Sequence, residues 1–350
     1  MAKRAKNLVG IDIDASGVTA VQVSLNGRLQ VDRVGFTPLE HGIVRDGEVV
    51  DVEALTTALK VLFKDTKGLG KRVRIGVANQ KIVVRVIELP YLENRKELDA
   101  AVRFQANEQI PMPMYQAVID YQPLEVVDGE DGRRQRLLLV AARKDMVGRA
   151  LDAVRAAGLK AEGVDLSAFA MIRALHQPAA ADEHVLYVAV GGLTNLAVAR
   201  GTTCLFTRAS GGGIDALAVE LAERCSLTLD HARGWLEHVG LDAAIEGIEG
   251  DETIVSDARQ VLVQGVRRIA AEIRNSLDFH HAQGGTTTVS RAVLSGPAAE
   301  VPGFATALSS ELGLPMVVGE IDGPEGMPVG RMAVAAGLAV EEVPACGPST

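Results

Sequence analysis

The feature that most constrains this chain is a repeat. The apolar run Leu8–Ile13 leads into the turn Asp14-Ala15-Ser16-Gly17, the run Val18–Ser24, the turn pair Asn26-Gly27 and a third run, Leu29–Thr37. The same plan returns at Val185–Val190, with Gly191-Gly192-Leu193-Thr194, the run Asn195–Arg200, the turn Gly201-Thr202 and the run Thr203–Arg208. Each segment reads as a three-stranded meander, because short apolar runs joined by small-residue turns form hairpins. A chain that opens both halves in this way has two similar sheets, each begun by antiparallel strands and not by a βαβ unit.

The remaining patterns hang helices and a third unit on that frame. Val52–Phe63 carries Leu55, Leu59, Leu62 and Phe63 on one helical face, with Asp51 placed to cap it. Val73–Val77 and Ile82–Leu89 read as strands, and Pro90 ends the second. Arg95–Gln109 reads as a helix stopped by Pro111-Met112-Pro113. Ala117–Val127 and Arg136–Ala142 form a hairpin around the acidic loop Asp128–Asp131. Lys144–Ala157 is a helix that Gly158 terminates. Residues 83–163 therefore read as strand, helix, two strands, helix: an α+β unit. Leu166–Leu175 is a helix, Pro178–Asp182 a linker, and Gly211-Gly212-Gly213 leads into a helix over Ile214–Arg224. A long helix over Ser256–Gln283 carries a stripe of Leu262, Val266, Ile269, Ile273 and Leu277. Val289–Leu294 reads as a strand running into Ser295-Gly296-Pro297, Pro302–Leu312 as a helix, Met316–Val318 as a strand, and Gly330–Val340 as a close-packing, Ala-rich helix.

Composition narrows the function classes. Of the 350 residues, 47% are apolar and 3% aromatic, so the core is aliphatic. The formal charge of −9 lowers a nucleic-acid reading, which wants a basic face. Cys204, Cys225 and Cys346 form no CxxC, which fits a reducing compartment and argues against structural zinc. No apolar run reaches the roughly 18 residues of a spanning helix. The basic start Met1–Lys6 is followed by no signal-type apolar region and reads as a solvated tail. His280-His281 reads as a polar helix end and Trp235 as packing.

Glycine-rich turns between paired strands leave backbone N–H groups free, and such groups cradle phosphate. Two such hairpins facing one cleft would clamp a nucleotide's phosphates. An Asp beside a turn, Asp12 or Asp14, would hold Mg2+ through water. Leu294-Ser295-Gly296, at a strand end, is placed to meet a base or ribose. The chain has no GxxxxGK[ST], no GxGxxG in a βαβ unit, no HExxH and no GxSxG, which removes P-loop, dinucleotide-binding, zincin and α/β-hydrolase readings.

Taken together, these pieces resemble the superfamily of actin, the heat-shock chaperone ATPases and the sugar kinases. Within it the chain is most similar to the PilM family of type IV pilus assembly proteins, relatives of FtsA and MreB. The specific marks are Gly10–Thr19 as the first phosphate turn, Arg85–Pro90, Glu97-Leu98, Glu108–Pro111, Ala117–Tyr121, Leu138–Ala142, Ala156–Leu159 and Val164-Asp165. The resemblance implies an α/β, actin-like (ribonuclease H-like) two-lobed fold with an FtsA-type inserted α+β subdomain. It divides the chain into a first lobe (1–82, 164–182 and 327–343), the insert (83–163) and a second lobe (183–326). It also implies an ATP and Mg2+ cleft. The nucleotide candidates are Asp12, Asp14, Ala15, Ser16, Gly17, Gly191, Gly192, Thr194, Gly211, Gly212, Gly213 and Gly296, with Asp12 the candidate for water-mediated Mg2+.

The departures from that family pattern carry information of their own. Asp14 stands where the first turn carries glycine, Thr19 where a basic residue often closes it, and Ala189 where the second turn follows an Asp. Ala232-Arg233-Gly234-Trp235-Leu236 replaces an Ala-Glu…Lys pattern, and Gly296-Pro297 replaces Gly-Gly. Several of these changes remove charge complementarity to a triphosphate, which points to a degenerate cleft with weak binding or lost hydrolysis. The expected role is a cytoplasmic scaffold that binds the N-terminal tail of a PilN-like bitopic membrane protein, works beside other pilus assembly proteins, touches the membrane only through that partner and binds no nucleic acid. The groove for the tail would lie between the first-lobe core and the insert, with Arg95–Gln109 and Ile82–Leu89 as walls. The alternatives are an active actin-like ATPase, a self-associating filament former or a type II secretion scaffold.

Overall fold

The computed structural model describes residues 8–25, 29–129, 132–282, 288–323 and 329–340. The turn pair Asn26-Gly27, the basic start, the tip of the acidic loop at Glu130-Asp131, Gln283 and Cys346 lie outside the described residues.

The first meander forms as the alternating runs dictate. β1 (Leu8–Asp14) pairs antiparallel with β2 (Gly17–Leu25), and β2 with β3 (Leu29–Pro38). A two-stranded hairpin follows, β4 (Val44–Arg45) and β5 (Glu48–Val49). Its central residues Asp46 and Gly47 both have positive φ (50° and 74°), the geometry of a type I′ turn. Helix α1 (Val52–Asp65) starts at Asp51, whose Oδ1 accepts the Ala54 N–H at 2.9 Å. β6 (Arg72–Val77) then lies parallel to β1.

The insert is built from β7 (Val83–Pro90), α2 (Arg95–Gln109), β8 (Ala117–Gly129) and β9 (Gly132–Arg143), with strand order β7-β9-β8. Its core is Ile87, Leu89, Leu98, Val102, Ala106, Leu137, Leu139 and Ala141. Helix α3 (Lys144–Ala156) ends as expected, with Gly158 at φ 78°. The next seven residues correct the sequence reading, which gave them no strand. β10 (Lys160–Leu166) pairs parallel with β6 and completes a five-stranded sheet of order β10-β6-β1-β2-β3. The register shifts between Ala161 and Gly163, which breaks the period-2 signal. Consequently β10 belongs to the same sheet as β1, and α3 packs on that sheet's core. Ala150, Ala153 and Val154 of α3 share a core with Val9, Ile11, Leu55 and Leu59.

The second meander mirrors the first. After α4 (Ser167–Leu175) come β11 (His184–Val190), β12 (Thr194–Arg200) and β13 (Thr203–Ser210), antiparallel in turn. Then come α5 (Ile214–Cys225), α6 (Leu229–Val239), α7 (Glu252–Ala282), β14 (Arg291–Ser295), α8 (Phe304–Leu312), β15 (Met316–Val318) and α9 (Val329–Ala339). β14 joins β11 in parallel and β15 joins β14, giving β13-β12-β11-β14-β15. Both five-stranded sheets thus have three antiparallel strands followed by two parallel ones on the β1 or β11 side. That is the duplication the repeat predicts.

Helices α4 and α9 fill the space between the sheets. Met171, Ile172, Leu175, Ala335 and Leu338 pack with Val21 of one sheet and Tyr187, Ala197 and Val293 of the other. The contact is close because the residues are small. A Cβ on Gly337 would overlap the carbonyl oxygen of Ala170, and one on Gly10 would lie 2.7 Å from the Ala339 nitrogen. The far face of the second sheet is covered by α5 to α8, with Leu262, Val266, Ile269 and Ile273 of α7 buried as the stripe requires. Trp235 packs at the margin of that core, and His280 stacks on Phe206 at 4.9 Å.

Candidate functional site

The two hairpin turns meet at a cleft between the lobes. Alternate residues of a strand share a face, so β1 delivers Asp12 and Asp14 together to its exit. β2 begins at Gly17, and Asp14 and Gly17 close the register. In the second lobe β11 ends at Val190, and the Gly191 N–H donates to the Leu193 carbonyl at 2.9 Å. A cavity of about 70 Å3 lies between them, lined by Asp12, Asp14, Ser16, Gly191, Asn195 and Gly296 among others. That is room for several waters at roughly 10–15 Å3 each.

A hydrogen-bonded contact joins the two turns across the cleft. The Gly192 N–H donates to Asp14 Oδ1 at 2.9 Å and Oδ2 at 3.0 Å. Ser16 Oγ donates to the same carboxylate at 3.2 Å. Neither glycine of the second turn has room for a side chain. A Cβ on Gly191 would stand 2.7 Å from Asp14 Oδ2, and one on Gly192 would stand 2.6 Å from the Ala15 Cβ.

The cleft is acidic. Burial, and then the neighbouring Asp14 charge, push Asp12 up from 3.8 to about 7. Burial also raises Asp14, and Asp215 raises it further, while the bonds from Gly192, Ala15 and Ser16 pull the other way. Asp215 sits in the first turn of α5. Its Oδ1 accepts from Arg233 Nε at 3.0 Å, and its Oδ2 is buried without a partner. Arg233 also pairs with Asp230 at 3.1 Å. At the other end of the cleft Arg331 binds Glu300 at 2.9 Å and Glu237 at 3.3 Å, with its guanidinium 5.3 Å from the Phe36 ring.

The structure brings together some sequence candidates and sets others behind the lining. Asp12, Asp14, Ser16, Gly191 and Gly296 line the cavity, and Gly192 touches Asp14. Gly17 packs against Phe36 and Thr37. Thr194 is buried in the ladder opposite Ser210, and both hydroxyls lack partners. Gly211 meets Gln80 of the first lobe, Gly212 has φ 83° in open space, and Gly213 presses on the Gly191 carbonyl where α5 begins. Gly296 has φ 81°, and its N–H donates to the Gly330 carbonyl at 2.9 Å. Sequence reasoning missed Asn195, Gly47, Arg331 and Asp215, and it marked Arg233 only as a departure from the family pattern, without its partner Asp215. The Asp46-Gly47 dipeptide, a hairpin signal, marked the second of these.

The Gly192 N–H, which a phosphate would need, already serves a carboxylate. Asp215 faces Asp14 closely enough to raise its pKa, and Ala189 lines the cavity together with Asp12 and Asp14. Among the described residues no group of three or more His, Cys, Asp or Glu gathers as a metal site.

Comparison with known proteins shows where this architecture recurs. The family described as type IV pilus assembly protein PilM matches residues 10–338. A PilM-PilN type IV pilus biogenesis complex contains a chain 25% identical to this one, with a TM-score of 0.79, covering 96% of this chain and 98% of that one. The ethanolamine utilization protein EutJ from Carboxydothermus hydrogenoformans is 16% identical with a TM-score of 0.56, covering 95% of this chain and 88% of its own. MreB5 of Spiroplasma citri, bound to ADP, is 12% identical with a TM-score of 0.54, covering 95% and 94%. The latter two share the fold, an actin-like one.

Proposed function

The chain belongs to the type IV pilus assembly protein PilM family, and from that membership we propose that it is an actin-like scaffold of the pilus assembly complex at the inner face of the cell membrane, binding the cytoplasmic N-terminal tail of a PilN-like membrane protein. The observation that carries this reading is the near end-to-end similarity to the PilM chain of a PilM-PilN complex. Among the described residues no helix is long and apolar enough to cross a membrane, which agrees with recruitment by an anchored partner. The tail lies between the first-lobe core and the insert, with α2 and β7 as walls. An extended peptide gains backbone hydrogen bonds at a strand edge and places alternate side chains in pockets. The exposed aromatics Phe104 on α2 (69% exposed) and Tyr115 (73%) offer such a peptide apolar surface. The nucleotide cleft is degenerate in this reading, and docking does not require ATP.

The test is fluorescence anisotropy with a labelled tail peptide, followed by hydrogen exchange of the complex. The proposal expects saturable binding with slowed exchange within residues 83–109. No binding by a folded protein, or protection confined to the second lobe, overturns it.

A further inference from the structure

We infer that the Asp14 carboxylate is a built-in occupant of the phosphate cradle of the second turn, so that this chain closes its lobes on its own side chain where a nucleoside triphosphate would otherwise bridge them. The inference rests on reading the cleft as one of nucleotide-binding descent.

The geometry supports it from both sides. Asp14 ends β1 of the first lobe, and the Gly192 N–H belongs to the turn between β11 and β12 of the second. Both carboxylate oxygens lie within 3.0 Å of that nitrogen. The close approach uses both glycines: a Cβ on Gly191 would meet the Asp14 carboxylate, and one on Gly192 would meet the Ala15 Cβ. The fit is therefore between two lobes, not within one turn. Phosphate and carboxylate are both oxyanions and seek the same donor. They cannot share it, because their charges repel. The described cations of the cleft are committed elsewhere: Arg233 to Asp215 and Asp230, and Arg331 to Glu300 and Glu237. A polyphosphate therefore has to displace Asp14 from Gly192 and finds no cation waiting for it.

Two variants test this in the full chain. Asp14→Gly removes the occupant and matches Gly191 at the end of the other hairpin. Asp14→Asn keeps an oxygen for the Gly192 N–H and sheds the charge. Binding is read with a fluorescent ATP analogue and Mg2+. Closure is read by the distance distribution between spin labels placed one on each lobe, at exposed Lys64 and Glu223. Asp14→Gly is expected to bind ATP with Mg2+ at least about tenfold tighter than wild type, since contacts with charged groups carry factors of this size. Without nucleotide its interlobe distribution is expected to broaden, and to narrow again when nucleotide is added. Asp14→Asn is expected to stay closed. A folded Asp14→Gly protein with wild-type closure, or with no gain in nucleotide binding, overturns the inference. Micromolar binding of ATP and Mg2+ by the wild type overturns the degenerate-cleft reading and the inference with it. Tail-peptide binding measured in the same variants separates this outcome from failure of the scaffold reading.

Discussion

Replacing Asp12 by Asn should change how stability depends on pH. Among the described residues no side chain donates to Asp12, and burial and Asp14 together hold its proton up to about 7 against an ordinary 3.8. Between those two values the folded chain carries a proton that the unfolded chain has lost. Stability from this group is therefore fully present below pH 3.8 and falls as pH rises toward 7. At about 1.36 kcal/mol per decade of proton affinity, the interval sets a ceiling of about 4 kcal/mol. Asp12 is only half-buried and lines the cavity, which returns part of that cost, so about 2 kcal/mol is expected between about pH 5 and pH 8. Asn cannot ionise, so Asp12→Asn lacks this loss. Urea denaturation of both proteins across that window, with a chelator so that only protons titrate, measures the difference. The variant should gain stability over wild type as pH rises, then hold a constant margin above about pH 8. A margin that does not change with pH would contradict this, because it would mean that Asp12 is an ordinary solvated carboxylate.

Three other substitutions test the packing and the cleft. Gly337→Ala forces a methyl group into the α4 backbone at Ala170, and should cost about 3 kcal/mol in chemical denaturation because backbone cannot step aside. Arg233→Met leaves Asp215 buried without its cation, with an expected loss of about 2 kcal/mol that Asp215→Asn in the same chain partly restores. Asp51→Ala removes the α1 cap and should lower stability by about 1 kcal/mol with no effect on tail binding.

What the sequence revealed, and what it hid, follows from the range of each interaction. The repeated meanders, the Asp51 cap, the Pro111 stop and the Gly158 terminus are local signals, and the structure has each of them where the residues place it. β10 was hidden because Gly163 interrupts its alternation and the strand lies at a sheet edge. The packing of α3 against α1 and the β1 sheet is likewise a tertiary contact that periodicity does not encode. At the cleft, the unusual Asp14 was visible as a charge where glycine is expected. Its partner was not, because the Gly192 N–H lies 178 residues away and a backbone donor has no signature in sequence. Arg331, Asp215 and the Asp215–Arg233 pairing were silent for the same reason: only the fold brings α9, α5 and α6 to one opening.

The most direct test of the account is titration calorimetry of the partner's tail peptide into the wild-type protein, with and without ATP and Mg2+. A scaffold closed on its own Asp14 predicts the same affinity in both. Tail binding that appears only with nucleotide, or that nucleotide shifts about tenfold or more, would contradict it.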